Sequence, residues 1–94
     1  MSDAISMGDA LKQFLDKSRI KNSIQAMQIE DHWEKIMGNT IAKYTDKLEI
    51  RNGTLFIYTK VAPLKNELVY QRDLIIQRIN ESLGQVVVRE VVVA

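Results

Sequence analysis

The sequence predicts an α+β domain. It reads as a two-layer sandwich of order α-α-β-β-α-β, with helices on a three-stranded mixed sheet. Three observations predict it. Asn52-Gly53 separates two runs of alternating apolar residues, the strongest short-range signal of a hairpin. Val86-Val87-Val88-Arg89-Glu90-Val91-Val92-Val93 is a β-branched run that reads as a strand. Elsewhere, apolar residues recur at helical spacing.

The first helix is expected from about Met7 to Lys17, after a loose start at residues 1–5. Ser6 and Asp9 resemble a capping box there, and Leu11, Phe14 and Leu15 supply an apolar stripe. Ser18 can cap a second helix. That helix carries two stripes, Ile20/Ile24/Met27 and Ile29/Trp33/Ile36/Met37. Their relative rotation implies either a kink near Gln28 or a helix that touches two partners. Gly38 stands where the helix ends, in the left-handed conformation. Asn39 to Tyr44 reads as an extra turn.

The Asn-Gly turn needs positive φ at both central positions and sets the pairing. Arg51 faces Thr54, Ile50 faces Leu55, Glu49 faces Phe56, Leu48 faces Ile57 and Lys47 faces Tyr58. Alternation then gives a core face of Leu48, Ile50, Leu55 and Ile57. The opposite face carries Lys47, Glu49, Arg51, Phe56, Tyr58 and Lys60. Pro63 opens a third helix, whose stripe is Leu64, Leu68, Ile75, Ile79 and Leu83. Gly84 ends it. The final strand lies parallel to Thr54–Thr59 if it pairs there, through a right-handed crossover. Val86, Val88 and Val92 would share one face of that strand, and Val87, Arg89, Val91 and Val93 the other.

With 94 residues, the chain is one domain, residues 1–94. Its 46% hydrophobic and 27% charged residues describe a soluble globular protein. The absence of cysteine excludes disulfides and thiolate metal sites. No apolar run reaches the ~18 residues of a membrane span, and no secretory signal opens the chain, so a cytoplasmic protein is expected. A net charge of +1 means that any nucleic-acid binding comes from local clusters of the 13 basic residues.

No catalytic constellation emerges, and the expectation is a non-enzyme with no cofactor and no metal. His32 stands beside Asp31 and Glu34 without a second histidine, and reads as a solvated surface residue. Trp33 is either a core anchor or a partner-binding anchor. Phe56 and Tyr58 can stack bases while Lys47, Arg51, Lys60 and Arg89 hold phosphates. The same face can instead lie under the first helix, serve a homodimer together with the edge of the last strand, or hold ordinary cross-strand pairs. A second basic set, Lys12, Lys17, Arg19 and Lys21, can track a phosphate backbone. Lys65 and Arg72, seven apart on the third helix, share a face and are candidate partner contacts.

Several short stretches together resemble one family. They are Trp33-Glu34-Lys35-Ile36-Met37-Gly38, Ile41-Ala42, Tyr44-Thr45 and Gly53-Thr54-Leu55, then Leu64-Lys65-Asn66-Glu67-Leu68, Ile79-Asn80 and Leu83-Gly84. They resemble the DciA-like family, once catalogued as a domain of unknown function, over the chain from about Leu11 to its end. The form Lys65-Asn66-Glu67-Leu68 is similar to a short stand-alone branch. The resemblance implies a fold like the KH domain of the second type. It implies a bacterial replication protein that loads or operates the replicative helicase and binds single-stranded or forked DNA. The Gly-x-x-Gly loop with which KH domains grip nucleic acid has no counterpart here, because no two glycines stand three apart. Some loaders also carry a basic extension, whereas this chain stops at Ala94.

Two functions therefore compete. One is a non-catalytic replication accessory protein that binds nucleic acid, the replicative DNA helicase, or both. The other is a protein–protein interaction module, homodimeric in one form, without direct nucleic-acid contact.

Overall fold

The structure, a computed structural model, describes residues 7–94, with side chains from Lys17 onward. Seven elements follow one another: α1 (Met7–Met37), α2 (Asn39–Tyr44), β1 (Lys47–Arg51), β2 (Thr54–Tyr58), α3 (Ala62–Tyr70), α4 (Arg72–Leu83) and β3 (Glu90–Val93). The sheet order is β1-β2-β3, antiparallel between β1 and β2 and parallel between β2 and β3. The fold is α+β on a mixed three-stranded sheet, as the sequence predicts.

The hairpin register is the one that the Asn-Gly turn sets, from Lys47 opposite Tyr58 to Arg51 opposite Thr54. Asn52 at φ 49° and Gly53 at φ 84° are the two positive-φ residues this turn requires. Leu48, Ile50, Leu55 and Ile57 are buried. Ile29, Trp33 and Met37 of α1, Leu68 of α3, and Ile75 and Ile79 of α4 pack with them, together with Val87, Val88 and Val91. The helices thus cover one face of the sheet.

Trp33 is 3% exposed and takes the first of its two expected places, the core. Its indole N–H donates to Thr45 Oγ1 at 3.0 Å, and that hydroxyl donates to the Ile41 carbonyl at 2.7 Å. A buried indole needs such a partner. Thr59, also buried, donates to the Tyr44 carbonyl and accepts from the Val61 N–H. One side chain so ties the end of α2 to the start of α3.

Four expectations need correction. The first two helices are a single helix, α1, of 31 residues. No Gly or Pro interrupts residues 9–37, so the capping tendency of Ser18 has no helix break to act on. The expected Ser6/Asp9 cap, the stripe of Leu11, Phe14 and Leu15, and Lys12 fall outside the residues whose side chains are described. Gly38 does end α1 with positive φ, but at φ 91° and ψ 164° it lies in a region essentially open only to glycine and not in the left-handed helical one. Its N–H still donates to Glu34 and its carbonyl accepts from Ala42, so it closes α1 and opens α2.

The third expected helix is two. Gln71 at φ −99° and ψ 13° separates α3 from α4, and its N–H is shared between the Glu67 and Leu68 carbonyls. Leu68, Ile75 and Ile79 keep one helical face across this junction, and all three are 0% exposed. Lys65 and Arg72 therefore stand on consecutive helices, α3 and α4, and not on one.

The last strand is shorter than the valine run. Only Glu90–Val93 pairs with β2, and alternation holds there, with Val91 at 2% and Val92 at 36% exposure. Val86–Val88 are held instead by one side chain. Asn80 Oδ1 accepts from the Val87 and Val88 N–H groups, and Asn80 Nδ2 donates to the Val88 carbonyl. Val87 and Val88 are both buried, so they cannot lie on opposite faces of a strand as predicted.

Candidate nucleic-acid interface

Two members of each basic set of the sequence meet at the hairpin turn, Arg19 and Lys21 with Arg51 and Arg89. The buried face of α1, read backwards from Trp33 and Ile29, continues into Gln25, Asn22 and Ser18, which are polar and half-buried. These positions keep the helical phase of the core stripe. They have no sheet residue to cover, because β1 and β2 end at the turn. The result is a polar-floored saddle between α1 and the tip of the hairpin.

On one side, Ser18, Arg19, Asn22 and Ser23 of α1 face Glu49, Arg51 and Asn52 across a concavity of about 600 Å³. On the other side, Ser18, Lys21, Asn22 and Gln25 face Asn52, Gly53, Val86, Val87 and Arg89 across about 370 Å³. Arg19, Lys21, Arg51 and Arg89 thus surround one turn, with Glu49 as the single carboxylate among the lining residues. Arg89 is fixed there by its own backbone. Its N–H and that of Glu90 both donate to the Gly53 carbonyl, at 2.8 and 3.2 Å. Arg89 precedes β3 and so lies at the turn, away from the face of Phe56 and Tyr58 with which the sequence grouped it.

Glu49 is engaged by the cations beside it. Arg51 Nε donates to Glu49 Oε1 at 2.6 Å, and Lys47 Nζ lies 3.2 Å from Oε2. The hydrogen bond from Arg51, and then that from Lys47, hold the Glu49 carboxyl below its ordinary value. The same contact raises the Arg51 pKa further. All of these groups are solvated, so the pairing orders the side chains more than it stabilises the fold.

Arg51 also belongs to the open face of the sheet. Its guanidinium carbon stands 5.1 Å from the centre of the Phe56 ring, and Lys47 Nζ stands 5.7 Å from that of Tyr58. The core residues of all the helices lie on the opposite face, so α1 does not fold over these rings. Phe56 and Tyr58 are half-buried among their cross-strand neighbours. Exposed cation–π contacts amount to ~0.5–1 kcal/mol, whereas stacking a base on a ring amounts to ~1–3 kcal/mol.

The remaining candidates lie elsewhere. Lys60 is exposed beyond the end of β2, outside the strand that was expected to carry it. Lys17 lines a different groove, with Ile20 and Ile24. Lys65 is half-buried on α3 and Arg72 exposed at the start of α4. His32 Nδ1 donates to the Gln28 carbonyl at 2.8 Å. That bond requires the proton on Nδ1, because a carbonyl can only accept. Ser18, Asn22 and Asn52 line the saddle, a place that the sequence reading gave to none of them. The signal for the first two was present, since they are polar residues at positions in phase with the core stripe.

Among the described residues, no helix is long and apolar enough to cross a membrane, and no group of three or more His, Cys, Asp or Glu residues can hold a metal ion. No curated protein and no solved structure matches the chain. One family model does, described as Dna[CI] antecedent, DciA, and it spans residues 6–93. The match covers nearly the whole of the 94 residues, including α1, the hairpin and β3. The chain belongs to the DciA family, a family associated with DNA replication and helicase loading.

Proposed function

We propose that the protein is a non-catalytic, cytoplasmic accessory of DNA replication that binds single-stranded or forked DNA in the saddle and engages the replicative helicase. The observation that carries this reading is the convergence of Arg19, Lys21, Arg51 and Arg89 on one polar-floored concavity at the hairpin turn. Four cations around one turn suit the repeating charge of a phosphate backbone. Ser18, Asn22 and Asn52 add hydrogen-bonding groups without sequence preference. Arg51 leads from the saddle onto the sheet face, where Phe56 and Tyr58 offer rings to unpaired bases.

The KH-like comparison is part of the same reading. The order α-β-β-α-α-β of the larger elements supports it. Without a Gly-x-x-Gly loop, the grip passes from backbone N–H groups to side chains. Binding of this kind is dominated by charge and falls with salt.

The test uses immobilised single-stranded DNA and the replicative helicase. The wild-type protein should be retained on the DNA and should retain helicase with it. Arg19→Glu with Arg51→Glu should abolish retention on DNA while leaving capture of helicase by immobilised protein intact. Retention of the double variant at wild-type level would overturn the saddle as the DNA site. Failure of the wild type to capture helicase in either format would overturn the loading role.

A further inference from the structure

The face of α1 that points away from its own domain carries large apolar side chains open to solvent. Ile20, Ile24 and Met27 are 59%, 51% and 63% exposed. At 3.6 residues per turn, Ile20 and Met27 lie about 180° and 160° around the helix from the buried Ile29. The two stripes of the sequence thus face opposite directions on one unbroken helix. The inner stripe binds the sheet, and nothing in the described chain covers the outer one. Helices draw most of their stability from a buried apolar face, and this stretch has that face turned to solvent.

Charge identifies the occupant. Continued by helical spacing, the outer stripe runs into Lys17 at its N-terminal end and Asp31 at its C-terminal end. Lys17 and Asp31 are each seven residues from Ile24, with Ile20 four before it and Met27 three after, so the charged ends are symmetric about Ile24 in position and opposite in charge. A second copy laid antiparallel with its dyad at Ile24 places Lys17 against the partner's Asp31, twice. Ile20 then lies within one residue, about 1.5 Å along the axis, of the partner's Met27, and Ile24 meets its own equivalent. A parallel copy would place Lys17 on Lys17 and Asp31 on Asp31, which is repulsive.

We propose that the outer stripe of α1 is a self-association surface, on which two copies of the chain pair antiparallel through Ile20, Ile24 and Met27 with reciprocal Lys17–Asp31 ion pairs. Three apolar residues per copy make a contact at the small end of interface sizes, so the dimer is transient and depends on concentration. The saddle adjoins this stripe, with Lys21 and Gln25 at the border between them, and Arg19 lies outside the paired residues.

The chain has no cysteine, which permits a direct test of this geometry. Ile24→Cys should form a disulfide-linked dimer under mild oxidation, because the dyad brings the two sulfurs within bonding reach. Lys17→Cys alone should not, since its partner copy lies about 21 Å away along the axis. Sedimentation over a concentration series from about 10 to about 500 μM should show self-association in the wild type. Ile24→Glu should abolish it with an unchanged far-ultraviolet circular dichroism spectrum, because the position is exposed. Lys17→Glu and Asp31→Lys should each weaken it, and the double exchange should restore it. A wild type that stays monomeric across the series, cross-linking of Lys17→Cys as efficient as that of Ile24→Cys, or no rescue by the double exchange would overturn the proposal.

Discussion

Arg89 lies across Gly53. Its N–H donates to the Gly53 carbonyl at 2.8 Å, and its Nε stands 2.8 Å from where a Cβ on Gly53 would be. The turn that makes the hairpin is therefore also the seat of one of the four site cations. Gly53→Ala forces a side chain into positive φ and pushes the guanidinium aside. The guanidinium is the end of a flexible chain and can move, so the main cost is backbone strain of about 1–2 kcal/mol. Urea denaturation should show that loss, together with weaker DNA binding as Arg89 leaves the saddle.

Asn80 substitutes for a strand neighbour along Val87 and Val88. Asn80→Ala leaves two buried N–H groups and one carbonyl without partners. Each unsatisfied group costs ~1–3 kcal/mol, so a destabilisation of at least about 3 kcal/mol is expected by denaturation. Amide hydrogen exchange at Val87 and Val88 should rise more than at Leu55 in β2.

Thr45 links Trp33 to the end of α2. Thr45→Val keeps the shape and removes both the acceptor of the indole N–H and the donor to the Ile41 carbonyl. A loss of about 1–2 kcal/mol should follow. Fluorescence of the single tryptophan reports whether its surroundings change while the fold persists.

Hydrogen bonds from Arg51 and then Lys47 hold the Glu49 carboxyl below its ordinary value in the folded protein. A depressed carboxylate contributes stability that is present above its unfolded value and is lost as pH falls through the folded one. The acid limb of the stability curve below about pH 4.5 should therefore flatten in Glu49→Gln. The same variant frees Arg51 and Lys47. It should bind single-stranded DNA more tightly at neutral pH, with a salt slope steeper by about 0.7 for each added phosphate contact.

The hairpin was legible because every signal for it is local. Asn52-Gly53 set the turn, the turn set the register, and alternation set the faces. The family stretches were legible for a similar reason, as short runs near turns and helix ends. The junctions were harder. Ser18 carries a capping signal that a continuous helix overrode, and Gln71 carries no breaker signal although the helix bends there. The valine run looked like strand to its start, because propensity does not show that Asn80 would satisfy Val87 and Val88 first. The saddle was legible only in halves. Arg19 and Lys21 were grouped apart from Arg51 and Arg89, and only the path of α1 over the hairpin turn brings the two groups together.

The central claim is that the saddle binds single-stranded DNA by charge. It is tested most directly by a salt titration of that affinity for the wild type and for Arg19→Gln with Arg51→Gln. Four phosphate contacts predict a log–log slope of about −2.8, and removing two cations should reduce it by about 1.4. A wild-type slope near zero, or the same slope in both proteins, would contradict the account.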